Sequence, residues 1–284
     1  MTERNLDPMG IVSIILGVAG VICSFVFVAL YLRPILLAET DAATECAMIA
    51  PFMIPTFAII GTIGGVLWLL AGISWFEKRD WAYSLSIGAV VISLFANFWP
   101  NIPAMESGAA TPGPWFFLFI PNILVFFYLT IKKGQESGAK SILGLIIGMA
   151  FILMFIDGIA ATTRMVNRII DVDLTILGEQ PWAVVVRGDL NPSFMYMICL
   201  PLCMISSILF GAAVVGLFLS ENKDLVRVVA LAAVFLGLAG GYSLAVYSTI
   251  TTNAVVSMFI MGPIVATVVG LVLLPNKVWE KISA

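Results

Sequence analysis

The sequence predicts an all-α polytopic membrane protein with eight transmembrane helices. Three observations carry that expectation: an excess of apolar residues, long apolar runs almost free of charge, and a one-sided distribution of lysine and arginine. Apolar residues form 61% of the chain and charged residues only 11%, against roughly 45–50% and about 25% in soluble domains. A mean hydropathy of +1.08 leaves more apolar surface than a soluble core could hide. Lipid removes the difficulty, because a helix of about 20 apolar residues spans a hydrocarbon layer roughly 30 Å thick. Within that layer each backbone N–H and C=O must be satisfied inside its own segment, which selects the helix.

Apolar runs bounded by charge or turn residues place the helices near 9–32, 48–76, 81–99, 114–131, 141–163, 193–220, 225–248 and 254–274. The first follows the short Met1–Pro8 segment; it is too long for a secretory signal core and is expected to be a permanent anchor. The second stops at the polar EKRD, the third before the Pro- and Gly-rich stretch 100–113, and the fourth at Lys132 and Lys133. The fifth rises from SGAK and ends before Arg164. The sixth follows the long insertion 164–192 and stops at ENKD, beyond which the seventh begins; the eighth closes before Lys277. Residues 1–284 thus read as a single integral membrane domain with 164–192 as an extracytoplasmic insertion.

Orientation follows from cationic loops, which resist translocation and stay cytoplasmic. One side collects ten cations, Arg4, Lys78, Arg79, Lys132, Lys133, Lys140, Lys223, Arg227, Lys277 and Lys281, and the other four, Arg33, Arg164, Arg168 and Arg187. Both termini are then cytoplasmic, the number of crossings is even, and the expected location is the cell (plasma) membrane. Trp75, Trp81 and Trp279 fall at the inner interface and Trp99 and Trp115 at the outer one, where aromatic belts form.

The outer loops differ in character. Residues 33–47 carry Glu39, Asp41 and Glu45 as an acidic lip, and 100–113 (PNIPAMESGAATPG) reads as irregular coil. In the insertion, IIDVDLTIL alternates apolar and polar residues, a turn signal spans Gly178–Pro181, and WAVVV is β-branched. Two short strands forming a β-hairpin are expected, with a surface helix continuing from the fifth span as the alternative.

Four prolines recur near the outer ends of the even helices: Pro55, Pro121, Pro201 and Pro263. Each odd helix before them starts after a polar segment (NLDP, EKRD, SGAK, ENKD), which suggests four tandem parallel helical-hairpin repeats. A proline inside a helix removes one N–H donor and kinks it by default. Small-xxx-small pairs at Gly61 and Gly65, Gly144 and Gly148, and Gly237 and Gly241 predict close helix contacts.

The chemistry is sparse. Histidine is absent, which removes imidazole metal ligands, conventional haem ligation and a histidine base. Cys23, Cys46, Cys199 and Cys203 form no CxxC pair; Cys199 and Cys203 share a helical face and read as buried small side chains more readily than as a ligand pair. No cofactor or metal is implied, no basic cluster marks a nucleic-acid partner, and no P-loop, Gly-x-Ser-x-Gly or dinucleotide motif is present. Enzyme activity is therefore not expected. The partners implied are the lipid bilayer and other membrane-protein subunits or further copies of the chain.

Asp157, in FILMFIDGIAATTR, is the one ionisable side chain placed well inside a span. An intramembrane carboxylate is costly and marks a candidate site. Arg164 lies two turns further along the same face and Arg168 extends the stripe, while Asn97, Asn101 and Asn122 could line an outer polar pocket beneath 100–113. Three functions fit these residues. A non-catalytic membrane subunit or scaffold docking partners through its extracytoplasmic loops explains the uniformly apolar helices. A permease or channel-like protein for a small neutral or weakly polar solute, coupled through Asp157, explains the buried acid. A quinone-handling anchor without haem matches in length and helix number alone.

Overall fold

The computed structural model describes residues 7–41, 45–171, 191–252 and 257–283, and among these every regular element is helical. Helix α1 spans Pro8–Asp41, α2 Glu45–Phe76, α3 Ala82–Phe98, α4 Asn101–Glu106 and α5 Phe116–Phe127, the last continued by a π-helical stretch over Tyr128–Lys133. Helix α6 covers Gly138–Asp171 and α7 Asn191–Leu219. Next come α8 (Lys223–Gly237), a π turn (Leu238–Tyr242) and α9 (Ser243–Thr252). A 3-10 turn (Met258–Ile260), α10 (Met261–Leu273) and α11 (Asn276–Ser283) complete the order. Seven described helices are long and apolar enough to cross a membrane, or eight if α10 and α11, which meet at an 89° bend, count as one span.

Several expected boundaries move. Helix α1 runs past Pro34 to Asp41, and α2 begins at Glu45, so most of the expected acidic loop 33–47 is helical. One missing N–H does not end a long apolar helix whose other backbone groups remain paired. The expected coil at 100–113 contains α4, closed by Ser107 N–H to the Pro103 carbonyl at 3.0 Å. Helix α6 continues through Arg164 and Arg168 to Asp171, so the first residues of IIDVDLTIL are helical and not strand. The rest of the expected hairpin lies outside the described residues.

The chain forms two compact units, residues 1–142 with 215–221, and residues 143–214 with 222–284. In the first, Asp7 caps α1 by accepting from Met9 N–H at 2.8 Å, ahead of Pro8, the sequence combination that best starts a helix. Helices α1 and α2 touch backbone to backbone: a methyl on Gly65 would lie 2.7 Å from the Val21 nitrogen and 2.9 Å from the Gly17 carbonyl oxygen. The glycines thus give the two helices a contact that no larger residue permits.

Aromatic side chains fill the same unit. Phe57 stacks on Trp99 at 5.7 Å and meets Phe95 edge-on at 5.4 Å, while Trp115 packs against Phe27 and Tyr31. Trp99, Trp115 and Trp279 are buried. Trp81 is exposed.

Candidate functional site

Asp157 sits in the second unit, on the middle of α6, and is 2% exposed. Its Oδ2 has no hydrogen-bond partner, and no ion pair to it occurs among the described residues. A buried charge in that position is several kcal/mol more costly than the same group in water, by order of magnitude. The arrangement singles out Asp157 because nearly all other buried polar atoms of the described residues are satisfied.

Glycine builds the surroundings. Gly262 on α10 faces Asp157 so closely that an added methyl would strike Oδ2 and the Met154 side chain. On α7, Cys199 and Cys203 lie within Coulombic range of the carboxyl. The π turn brings Gly240 against Leu202 and Cys203, with a methyl on it 2.9 Å from Cys203 Sγ, and Gly241 against Pro263, likewise at 2.9 Å. One turn earlier Gly237 meets Ser206 Oγ at 2.8 Å and Met154 Sδ at 2.9 Å by the same measure. Thus α6, α7, the π turn and α10 converge on one small-residue waist with a single carboxyl in it.

The backbone is irregular on two of these elements. The π turn interrupts the α8–α9 span at Gly240 and Gly241, and α10 starts from a 3-10 turn with Pro263 in its first turn. Single π segments and broken membrane helices occur preferentially where a helix must serve a ligand or move. Below the 3-10 turn, Ser257 Oγ donates to Ser248 Oγ at 3.1 Å and Thr249 Oγ1 accepts from Ser257 N–H at 3.1 Å, fixing α10 to α9.

The remaining candidates lie elsewhere. Arg164 and Arg168 stand on α6 beyond Asp157, with side chains outside the described residues. Asn97, Asn101 and Asn122 are buried in the first unit. Asn97 Nδ2 donates to Ser93 O at 2.7 Å, and Asn101 Nδ2 to Asn97 O at 2.7 Å. Asn101 Oδ1 accepts from Phe116 N–H at 3.0 Å, tying α4 to the start of α5. Asn122 Oδ1 accepts from Trp68 Nε1 at 2.9 Å and Nδ2 donates to Leu118 O at 2.8 Å. The Asn101 bonds and the Trp68–Asn122 bond join elements, whereas Asn97 Nδ2 and Asn122 Nδ2 bond within their own helices. Pro55, Pro121 and Pro201 lie inside their helices, whereas Pro263, expected to kink its helix, stands in the first turn of α10, where no intrahelical N–H bond is lost; Pro201 is exposed and Pro263 is buried against Gly241.

A polar cluster in the first unit was not anticipated. Lys140, counted among the loop cations, is 4% exposed and pairs with Glu136 at 2.6 Å. Nearby, Tyr83 Oη is buried without a partner, packed on Gly134, and Ser141 Oγ donates to Thr130 Oγ1 at 2.9 Å. Lys133 sits 5.0 Å over the Trp75 ring and 3.9 Å from Asp7. The only sequence signal was the spacing of Glu136 and Lys140, and the pair joins the first turn of α6 to the segment just before it.

Comparison of the chain with protein-family models, with curated proteins and with solved structures finds no match.

Proposed function

We propose that the protein is a proton-coupled permease for a small neutral or weakly polar solute, with Asp157 as the group that takes up and releases the proton. The observation that carries this reading is the unpartnered Oδ2 at a glycine-lined crossing of four elements, two of them irregular. Its described neighbours are thioether, thiol and glycine, which tolerate a protonated carboxyl far better than an ion. A hard cation such as calcium would need six or more oxygen ligands, so a proton is the coupling ion that this donor set suits. Uptake of a proton removes the cost of the charge, and its loss restores it. That difference biases any helix rearrangement at the π turn and Pro263.

The sidedness of Lys and Arg supports eight crossings, cytoplasmic termini and a plasma-membrane location, with the 3-10 turn and α10 as the last crossing. The recurring prolines support four tandem hairpin units. A second reading, a non-catalytic subunit, draws on the broad exposed apolar faces, such as Ile15, Ile22 and Leu30 of α1. Such a face accepts a neighbouring membrane protein as readily as lipid, and the insertion 164–192 would add an outer contact.

The test is transport by the purified chain in vesicles loaded with a pH-sensitive dye, against a panel of small polyols, sugars and zwitterionic amino acids. Solute-dependent proton entry that Asp157→Asn abolishes supports the permease. Unchanged flux in that variant removes Asp157 from the mechanism. Stoichiometric co-purification of another membrane protein from mild detergent, with no flux for the whole panel, favours the subunit reading instead.

A further inference from the structure

The end of the second unit carries a feature that transport does not use. Helix α10 stops at Leu273, and the chain turns 89° into α11. Arg227 on α8 holds that corner: its Nε donates to the Leu273 carbonyl at 2.8 Å and its Nη2 to the Leu274 carbonyl at 2.7 Å. A guanidinium on the last carbonyls of a helix satisfies acceptors that have no partner within the helix and complements its dipole. These two bonds pin the end of α10, from which α11 departs at 89°.

The residues of α11 sort by face. With about 100° between successive residues, Val278 and Ile282 share one side. Trp279, buried at 3%, flanks them on one edge, and Lys277 and Lys281, both exposed, flank them on the other. Glu280 lies opposite Val278 and Ile282. Leu271 and Leu274, just before the bend, are likewise exposed. A helix lying flat at a bilayer surface places its apolar strip in the acyl boundary, its cations at headgroup depth and its acid in water. Long lysine stems bury along the apolar edge while their ammonium groups reach outward.

We infer that α11 is a membrane-surface helix that docks on anionic phospholipid headgroups through Lys277 and Lys281, with Arg227 fixing its exit from α10. The charge complementarity commits the occupant: two cations border the apolar edge formed by Val278 and Ile282, and the one acid of this helix lies on the opposite face. This inference is independent of transport at Asp157.

The full-length protein in nanodiscs tests it, comparing phosphatidylcholine with an equal mixture of phosphatidylcholine and phosphatidylglycerol. Each lysine near an anionic surface contributes about fivefold to binding, so Lys277→Gln with Lys281→Gln should weaken retention of phosphatidylglycerol in native mass spectrometry roughly thirtyfold. Replacement of both by arginine should preserve it. Spin labels at Val278 and Glu280 check the geometry: the first should be reached by oxygen and the second by aqueous quencher. Equal phosphatidylglycerol retention in the glutamine pair would overturn the inference, as would a Val278 label open to water in both lipids or shielded only by a second protein.

Discussion

Trp68 Nε1 donates to Asn122 Oδ1 over 2.9 Å, joining α2 to α5 at a point where both residues are buried. This single bond satisfies an indole donor that has no water to turn to. Removing the acceptor strands the donor, whereas removing both groups leaves an apolar contact. Asn122→Leu should therefore destabilise the protein by about 1–3 kcal/mol, measured as the shift in detergent-phase unfolding. Trp68→Phe combined with Asn122→Leu should lose less than the sum of the two single changes. Additive losses would show that the bond contributes nothing beyond packing.

Close helix contact at Gly65 gives a second prediction with an internal control. A methyl at Gly65 would meet only backbone atoms of α1, which have no rotamer to yield. Gly65→Ala should separate α1 from α2 and cost about 1–3 kcal/mol, the usual penalty for overpacking. Gly148 belongs to a similar sequence pair, yet a methyl there would lie 3.9 Å from Val214 Cγ2. Gly148→Ala should be neutral or stabilise by up to about 1 kcal/mol through helix propensity. Thermal unfolding of the two variants separates the cases, and equal effects would refute the contact.

The contrast between these glycines shows what was legible in the sequence. Spans were legible because length and hydropathy act on each segment alone, and Asp157 because an acid within an apolar run has no ordinary explanation. Helix ends were less so: the first span was expected near 9–32, but α1 continues past Pro34 to Asp41 because the rest of its backbone stays paired. Trp99 and Trp115 sit at interfacial depth in sequence, and only tertiary packing shows them turned inward. The neighbours of Asp157 come from α7 and α10, and no spacing rule relates Gly262 or Cys203 to it. Gly237 and Gly241 were visible as a small-xxx-small pair, but a π turn between them leaves no pattern by which to read it.

The Glu136–Lys140 pair supplies a third prediction. Lys140 is nearly closed off, whereas Glu136 keeps some exposure, with side-chain values of 5% and 20%. Removing one partner leaves the more buried charge alone. Glu136→Gln should thus be the more damaging single change, by up to about 3 kcal/mol for a fully buried pair and less here. Lys140→Met with Glu136→Gln should recover much of that loss. Unfolding midpoints of the three variants decide the matter, and a double variant no better than Glu136→Gln would place the effect in packing.

Gly262 supplies the last prediction, and it separates shape from charge at the candidate site. An added methyl would strike both Asp157 Oδ2 and Met154. Met154 can move aside, because an unbranched thioether has several rotamers, whereas the shorter Asp157 side chain can yield only by carrying its carboxyl out of place. Gly262→Ala should therefore push the carboxyl aside, with about 1–3 kcal/mol lost in stability and loss of solute-driven proton entry. Pairing it with Met154→Ala should restore stability by opening room. If Asp157 works through its position, transport should return only where the carboxyl regains its place, and Gly262→Ala with Asp157→Asn should be no worse than Asp157→Asn alone. Transport unaffected by Gly262→Ala, in a variant that folds, would mean that the carboxyl does not act where α10 crosses α6.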